Sequence, residues 1–258
     1  DRYSMITVVS TLALTSGGFP MALREFESER DQYVSSVLSL TSLVAIGLVF
    51  LYALAPSFWN RMTGLPTHLM ILLLVGLLVA PARDFWLLRQ RFEYRYKLPG
   101  AVTIVSAVAA SGLAVVAVLY ANSIDYSDIA SVRLFANYSI VYGVAAVIWF
   151  SIFLKGKCFY SSKYWKFSLQ LSLPLIGYSI ASQILSVSDR LMISKMVGNS
   201  AVGVYSTLYT VSSLSLMVWT AINASFTPYL YQNMENPKSR IRKLSMTMLG
   251  MYSLVAIL

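Results

Sequence analysis

Two long apolar spans lie back to back between Lys166 and Tyr231, joined only by the polar turn Gly198-Asn199-Ser200. In the whole chain 12% of the residues are charged and 57% are hydrophobic, whereas ordinary soluble domains carry about 25% charged residues. A helix that crosses a bilayer needs about 20 apolar residues. The runs are too uniformly apolar for the alternating strands of a membrane barrel. The sequence therefore predicts an all-α fold, a polytopic membrane helical bundle.

Apolar spans recur along the whole chain, each bounded by a short segment of charged or turn residues. The chain begins without Met and ends inside an apolar run, so we expect it to be a fragment of a longer protein. We predict eight spans, at residues 3–23, 34–56, 65–87, 98–121 and 132–154, two between 166 and 231, and a truncated one from 244.

The distribution of Lys and Arg predicts how the spans are oriented. Of the twenty Lys and Arg residues, fifteen lie in the loops that follow the first, third, fifth and seventh spans, and five lie on the opposite side. Cytoplasmic loops of membrane proteins carry an excess of basic residues. We therefore place the first set in the cytoplasm and Asp1 outside, which implies that an odd number of spans, most simply one, precedes Asp1.

The single cysteine, Cys158, and the single histidine, His68, exclude several kinds of site. One cysteine allows neither an internal disulfide nor a cysteine-based metal cluster, and one histidine rules out a histidine-rich metal site. We interpret His68 as an interfacial residue and predict no metal and no cofactor. The net charge of +9 does not indicate nucleic-acid binding, because the basic residues flank apolar spans rather than forming one patch.

Two short matches indicate an internal repeat. Tyr3-Ser4, at the start of the first span, matches Tyr205-Ser206, at the start of the seventh span, 202 residues later. Residues 38–43 (LSLTSL) match residues 244–249 (LSMTML), 206 residues later. Both copies begin on the same side of the membrane. With one span missing at the front, the chain contains parallel repeats of about six spans, a transporter pattern.

Four motifs between residues 172 and 231 are typical of one family of membrane proteins. They are Leu173-Pro174-Leu175, Ser188-Asp189-Arg190-Leu191-Met192-Ile193, Val202-Gly203-Val204-Tyr205-Ser206, and Ala221-Ile222-Asn223 followed by Pro228. On these residues the chain resembles the polysaccharide-biosynthesis flippases, the O-antigen and capsule repeat-unit exporters of the multidrug/oligosaccharidyl-lipid/polysaccharide superfamily. The first span, as far as Arg24, resembles the second helix of that family.

The resemblance implies an exporter fold of twelve to fourteen helices, built from two parallel six-helix repeats around a hydrophilic cavity. Residues 1–160 would form the N-terminal helical bundle without its first helix, and residues 161–258 the start of a truncated C-terminal bundle. The implied protein is a non-enzymatic flippase in a bacterial or archaeal plasma membrane. It would move an undecaprenyl-pyrophosphate-linked oligosaccharide repeat unit to the outer leaflet, for lipopolysaccharide or capsule synthesis. Implied partners are the bilayer and the polysaccharide polymerase with its chain-length machinery, and proton or sodium coupling is an option.

A carrier of lipid-linked pyrophosphate needs cations inside the membrane, and arginine pairs well with phosphate oxygens. Arg190 and Lys195 fit that requirement, with Asp189 as an ion-pair partner or proton-coupling carboxylate. Arg190 follows Lys166 by 24 residues, about 36 Å along a helix, so it is expected near the outer mouth. The alternative is an interfacial ion pair that fixes the position of the helix.

Arg83-Asp84 follows Pro81 in the last turns of the third predicted span, and Arg24 ends the first. Both are candidates for substrate contacts at the cytoplasmic mouth. The alternative for both is ordinary snorkelling of a basic side chain to the interface.

Two other functions remain open. A multidrug/cation antiporter of the same superfamily should carry acidic rather than basic charges within its spans, and here Asp84 and Asp189 each neighbour an arginine. A membrane-embedded glycosyltransferase or ligase would need a catalytic acid. For that role only Asp125 and Asp128 stand in an outer loop, where we interpret Asp128 as an acid at the start of the following helix.

Overall fold

The computed structural model describes residues 18–126, 128–198 and 200–210, and the separate residues 212, 213, 220, 223, 242, 245, 246, 249, 250 and 253. Within these residues the regular secondary structure is entirely helical. The helices are α1 (Gly18–Glu25), α2 (Arg30–Leu54), α3 (Pro56–Thr63), α4 (Thr67–Phe92), α5 (Lys97–Ser123), α6 (Ile129–Gly156) and α7 (Ser162–Met196), with a 3-10 turn (Glu27–Glu29) before α2.

Four of the described helices are long and apolar enough to cross a membrane, namely α2 with its preceding turn, α4, α5 and α6. They correspond to the second to fifth predicted spans, and the all-α membrane bundle is thereby confirmed. Of the first predicted span, only the end lies within the described residues, in α1.

The largest difference in span boundaries is at α4. The third span was predicted to end near Leu87, but α4 continues to Phe92. Pro81 lies inside the helix without ending it, as membrane helices tolerate when neighbouring helices support the backbone. Arg83 and Asp84 are therefore enclosed within a continuous helix rather than placed at its end.

Residues 57–64, between the second and third predicted spans, were predicted as a short loop, and this prediction was wrong because residues 56–63 form helix α3. Pro56 occupies the first turn of α3, where its fixed φ suits a helix and its missing N–H is not needed. Gly64 ends α3 with a left-handed φ of 69°, a conformation that glycine adopts at little cost. Between the two apolar spans, Trp59, Asn60 and Arg61 resemble an interfacial loop, and their residue types do not reveal this pair of end signals.

One cluster of buried side chains joins α1, α2 and α4. Phe85 and Leu23 are fully buried, and the ring of Phe85 stacks on Phe19 with centroids 4.7 Å apart. A second cluster lies between α4 and α6, where the ring of Tyr142 crosses directly over Gly76. The first turns of α7 pack against α1 and α2, for example through a 2.8 Å hydrogen bond between the hydroxyls of Tyr33 and Ser168.

The contacts at the helix ends agree with the predicted alternation of loops. An ion pair joins Arg89, near the end of α4, to Asp31, at the start of α2. Lys163, at the start of α7, lies 3.4 Å from Glu29, just before α2. The loops that follow the first, third and fifth spans therefore meet at one end of the bundle, which we call the basic end. The beginnings of α4 and α6 meet at the opposite end.

The predicted turn between the sixth and seventh spans is present in the described residues around Gly198. Helix α7 ends at Met196, and Gly198 has a left-handed φ of 108°. Residues 200–210 are helical again. The turn residue Asn199 lies outside the described residues, as do most residues beyond 210. The division into bundles at residues 1–160 and 161–258 stays a prediction.

Candidate functional site

Arg83 and Asp84 lie together inside α4. Both are half-buried, and Arg83 precedes the end of α4 at Phe92 by nine residues, about 14 Å of helix. The Nε atom of Arg83 is buried and has no hydrogen-bond partner among the described residues. The sequence placed this pair at the mouth of the bundle, and the structure places it more than two turns inside the helix.

Asp189 and Arg190, the predicted pair on α7, contact two different tyrosines of the helical segment 200–210. Asp189 accepts a 3.1 Å hydrogen bond from the hydroxyl of Tyr205. The guanidinium of Arg190 lies 5.0 Å from the centroid of the Tyr209 ring, and its Nε is buried without a partner in the described part of the chain. Lys195 is exposed near the end of α7.

The predicted ion pair between Asp189 and Arg190 is not formed within the described residues. The physical reason is that consecutive residues on a helix point in different directions and do not face each other. Helix α7 is continuous from Ser162, so Arg190 lies 28 residues, or about 42 Å, from its start. This length agrees with the expected place of Arg190 at the end of the bundle opposite the basic end.

Arg24 lies half-buried in the last turn of α1. A cation in that position interacts favourably with the carbonyl end of the helix. No hydrogen bond, ion pair or ring contact that the structure describes joins the groups on α1 and α4 to the group on α7. The candidate residues thus stay in separate places, and their role in substrate binding stays a prediction.

A charged groove at the basic end was missed by sequence reasoning. It lies between α2, α4 and α6 and encloses a cavity of about 350 Å³. Arg89 pairs with Asp31 and also with Glu93, whose carboxylate lies 2.9 Å from Arg89 Nε. Arg95 lies 3.7 Å from the other oxygen of Glu93, and Lys155 of α6 also lines the cavity. We call this site the α2–α4–α6 groove.

The sequence contained only an indirect signal for this groove. Its charged residues come from three segments that are 58 or more residues apart, since Asp31, Arg89 and Lys155 lie on different helices. The predicted topology places those segments on the same side of the membrane. Which charges meet there depends on how far each helix extends and how it is rotated, and neither can be obtained from a count of charges.

At the opposite end, Asp128 caps the start of α6. Its carboxylate accepts hydrogen bonds from the backbone N–H of Ser131, at 3.1 Å, and from the Ser131 hydroxyl, at 2.5 Å. These two bonds, the hydroxyl first, hold the pKa of Asp128 below its usual range. His68 Nε2 lies 3.0 Å from the same hydroxyl and 3.7 Å from Asp128. The interpretation of Asp128 as an acid at a helix start is confirmed.

No group of three or more His, Cys, Asp or Glu side chains within the described residues is arranged to hold a metal ion. The candidate residues are instead cations and carboxylates near the ends of long helices, together with Arg83 and Asp84 inside the membrane-spanning helix α4. Such an arrangement can bind and release charged groups at a membrane surface. The chain is therefore a multi-pass helical membrane protein.

Comparison with protein families shows which family of multi-pass membrane proteins the chain belongs to. A family described as polysaccharide biosynthesis protein matches residues 2–234, so the chain belongs to this family. The resemblance found in the sequence is thereby confirmed, and the protein has a membrane role related to polysaccharide synthesis. Comparison with curated proteins and with solved structures gave no significant match.

Proposed function

We propose that the protein is a flippase for a lipid-linked oligosaccharide in surface-polysaccharide synthesis. Its substrate would be an undecaprenyl-pyrophosphate-linked repeat unit, moved from the inner to the outer leaflet of a bacterial or archaeal plasma membrane. Members of the family are mostly transporters or flippases rather than enzymes, which supports transport over catalysis.

The observation that carries the proposal is a pair of half-buried arginines, Arg83 inside α4 and Arg190 near the far end of α7. Arg83 in α4 and Arg190 in α7 each have a buried Nε without a hydrogen-bond partner among the described residues. An arginine enclosed within a membrane helix, as Arg83 is in α4, is costly and usually faces a polar cavity or pathway. An N–H donor that is left without a partner can be satisfied by an oxygen of a passing substrate, and pyrophosphate supplies such oxygens.

The neighbours of these arginines suit a sugar-bearing substrate as well. Arg190 stands over the ring of Tyr209, and Tyr205 presents a hydroxyl to Asp189. Hydroxyl and carboxylate groups can exchange hydrogen bonds with sugar hydroxyls. Asp84 and Asp189 are also the acids that would couple transport to a proton or sodium ion. Contact with a polymerase and its chain-length machinery belongs to the same proposal.

The test uses the full-length protein in cells whose polysaccharide locus is intact. The gene is deleted and then replaced by wild type, Arg83→Gln, Arg190→Gln or the control Arg61→Gln. Arg61 is exposed on α3, so its variant changes the net charge equally without affecting a buried arginine. The measurement is the fraction of lipid-linked repeat units that a membrane-impermeant probe can reach from outside.

We expect the deletion strain to retain repeat units on the inner leaflet, and wild type and Arg61→Gln to restore export. Loss of one charged hydrogen bond to the substrate costs about 1.5–3 kcal/mol, so either arginine variant should slow export by roughly 10- to 150-fold. Full export in both variants would show that the arginines only anchor their helices. If repeat units cross normally in the deletion strain, the flippase proposal is wrong. In that case an unligated product would favour the transferase, and a drug-sensitive phenotype the antiporter.

A further inference from the structure

The α2–α4–α6 groove has an apolar wall and a charged rim. Val34, Trp86, Ile148 and Ile152 line it on the side of the helix bodies. Arg89, Glu93, Arg95 and Lys155 line it toward the basic end. Its volume of about 350 Å³ is at the lower end of the range of small-molecule sites. An apolar wall that leads into a charged rim matches the shape of an amphiphile.

The charges at the rim do not cancel. Asp31 is paired with Arg89, and Glu93 is shared by Arg89 and Arg95. Three cations therefore face two carboxylates, and Lys155 is the cation that has no carboxylate partner among the described residues.

The cations differ in how accessible they are. Arg89, with a side chain 22% exposed, and Glu93, 13% exposed, form the closed part of the network. Arg95 is 72% exposed and Lys155 is also exposed. The part of the rim that is open to a ligand therefore carries the positive charges, and Gln90 adds a neutral amide beside them.

We propose that the α2–α4–α6 groove binds the headgroup of an anionic bilayer phospholipid. The phosphate lies against Lys155 and Arg95, and the first part of an acyl chain lies along Val34, Trp86 and Ile152. Basic pockets between membrane helices on the cytoplasmic side are suited to anionic headgroups. The predicted cytoplasmic location of the basic end places the groove at that depth.

Neither Arg83 nor Arg190, which carry the proposed transport function, lines this groove. Arg190 lies at the far end of α7, and Arg83 lies on α4 three residues before the groove residue Trp86. Lipid binding there would hold the ends of α2, α4 and α6 together, whatever the protein transports. The lipid measurement below needs no transport, so its failure would leave the proposed function standing.

The experiment titrates full-length protein in detergent with phosphatidylglycerol and counts the bound lipids by native mass spectrometry. Phosphatidylcholine, a polyprenyl diphosphate and inorganic pyrophosphate are titrated in parallel. The variants are Lys155→Gln, Lys155→Arg and the double variant Lys155→Gln/Arg95→Gln. The matched control is Lys97→Gln, because Lys97 is an exposed lysine at the start of α5 that does not line the cavity.

We expect wild type to bind phosphatidylglycerol more tightly than phosphatidylcholine. A Lys or Arg near an anionic headgroup contributes about 1 kcal/mol, so Lys155→Gln should weaken the binding about fivefold and the double variant about 25-fold. Lys155→Arg and Lys97→Gln should bind as wild type does. The thermal midpoint of each variant, measured without added lipid, shows whether it is folded.

Three results would overturn the proposal. Equal binding of phosphatidylglycerol and phosphatidylcholine would show that the groove does not select an anionic headgroup. Equal losses in Lys155→Gln and Lys97→Gln would show that only net charge matters. Selective binding of the polyprenyl diphosphate, or of inorganic pyrophosphate alone, would assign the groove to the substrate or to a free anion instead of a bilayer lipid.

Discussion

Gly156, the last residue of α6, lies where α6 touches the beginning of α2. A Cβ atom at this position would collide with the Cβ of Ser35 and with the backbone carbonyl oxygen of Asp31, and would lie 2.9 Å from Ser35 Oγ. Ser35 is fully buried, and a backbone carbonyl cannot turn away as the end of a side chain can. We predict that Gly156→Ala forces α2 and α6 apart and destabilises the protein.

The magnitude follows from two opposing effects. Overpacking a closely packed contact costs about 1–3 kcal/mol. Replacing glycine by alanine within a helix contributes about 0.5–1 kcal/mol in the other direction. Gly143 lies in the same helix, and a Cβ there would meet no atom within 4 Å among the described residues. Gly143→Ala therefore gains only the stabilisation that alanine gives a helix over glycine. The free energies of unfolding of the two variants should differ by about 1–3 kcal/mol.

The assay is thermal unfolding of the full-length protein in detergent, followed by the helical circular dichroism signal. At about 2–4 °C for each kcal/mol, Gly156→Ala should unfold at a midpoint roughly 2–12 °C below that of Gly143→Ala. Gly143→Ala should equal or slightly exceed wild type. A midpoint for Gly156→Ala at or above that of Gly143→Ala would contradict this prediction, because it would mean that α2 and α6 do not approach each other this closely.

Two further predictions concern hydrogen bonds between and within helices. Trp149→Phe removes the 3.1 Å hydrogen bond from the indole N–H to the buried hydroxyl of Ser42. Chemical denaturation should show that the free energy of unfolding falls by roughly 0.5–1.5 kcal/mol, and an unchanged free energy of unfolding would contradict this prediction. Asp128→Asn keeps an acceptor for Ser131 but removes the charge. The pKa of Asp128 is lowered in the folded chain. At a pH above the ordinary carboxyl pKa of about 4, the charge of Asp128 therefore stabilises the folded protein. This stabilisation is lost as the pH falls through the lowered pKa. The difference in thermal midpoint between wild type and Asp128→Asn should therefore be present at neutral pH and disappear in acid. If the difference persists in acid, it does not come from the charge of Asp128.

The bounds of the membrane helices were largely predictable. Long apolar runs require helices, and four of the predicted spans correspond to α2, α4, α5 and α6. The cap at Asp128 was also predictable, because an acid just before an apolar run is a local signal. Helix α3 was missed since its signals, Pro56 and Gly64, mark the ends of a segment too short and too polar to resemble a span.

The candidate site was less predictable than the fold. The sequence identified Arg83 and Arg190 as unusual charges within apolar spans, and the structure places both half-buried in long helices. It did not predict that Asp189 bonds to Tyr205 rather than pairing with Arg190. Neighbours in sequence are easily assumed to interact, although on a helix they face different directions.

The order of residues along the chain establishes that it is a helical membrane protein, which family it belongs to, and which loops share a side. Apolar length, motif residues and the placement of Lys and Arg are all properties of the chain in one dimension. The ion pair between Asp31 and Arg89, 58 residues apart, and the close contact of Gly156 with Ser35 are visible only in the folded molecule. Those contacts depend on the rotation and register of packed helices, which many weak contacts set together and no single residue pattern encodes.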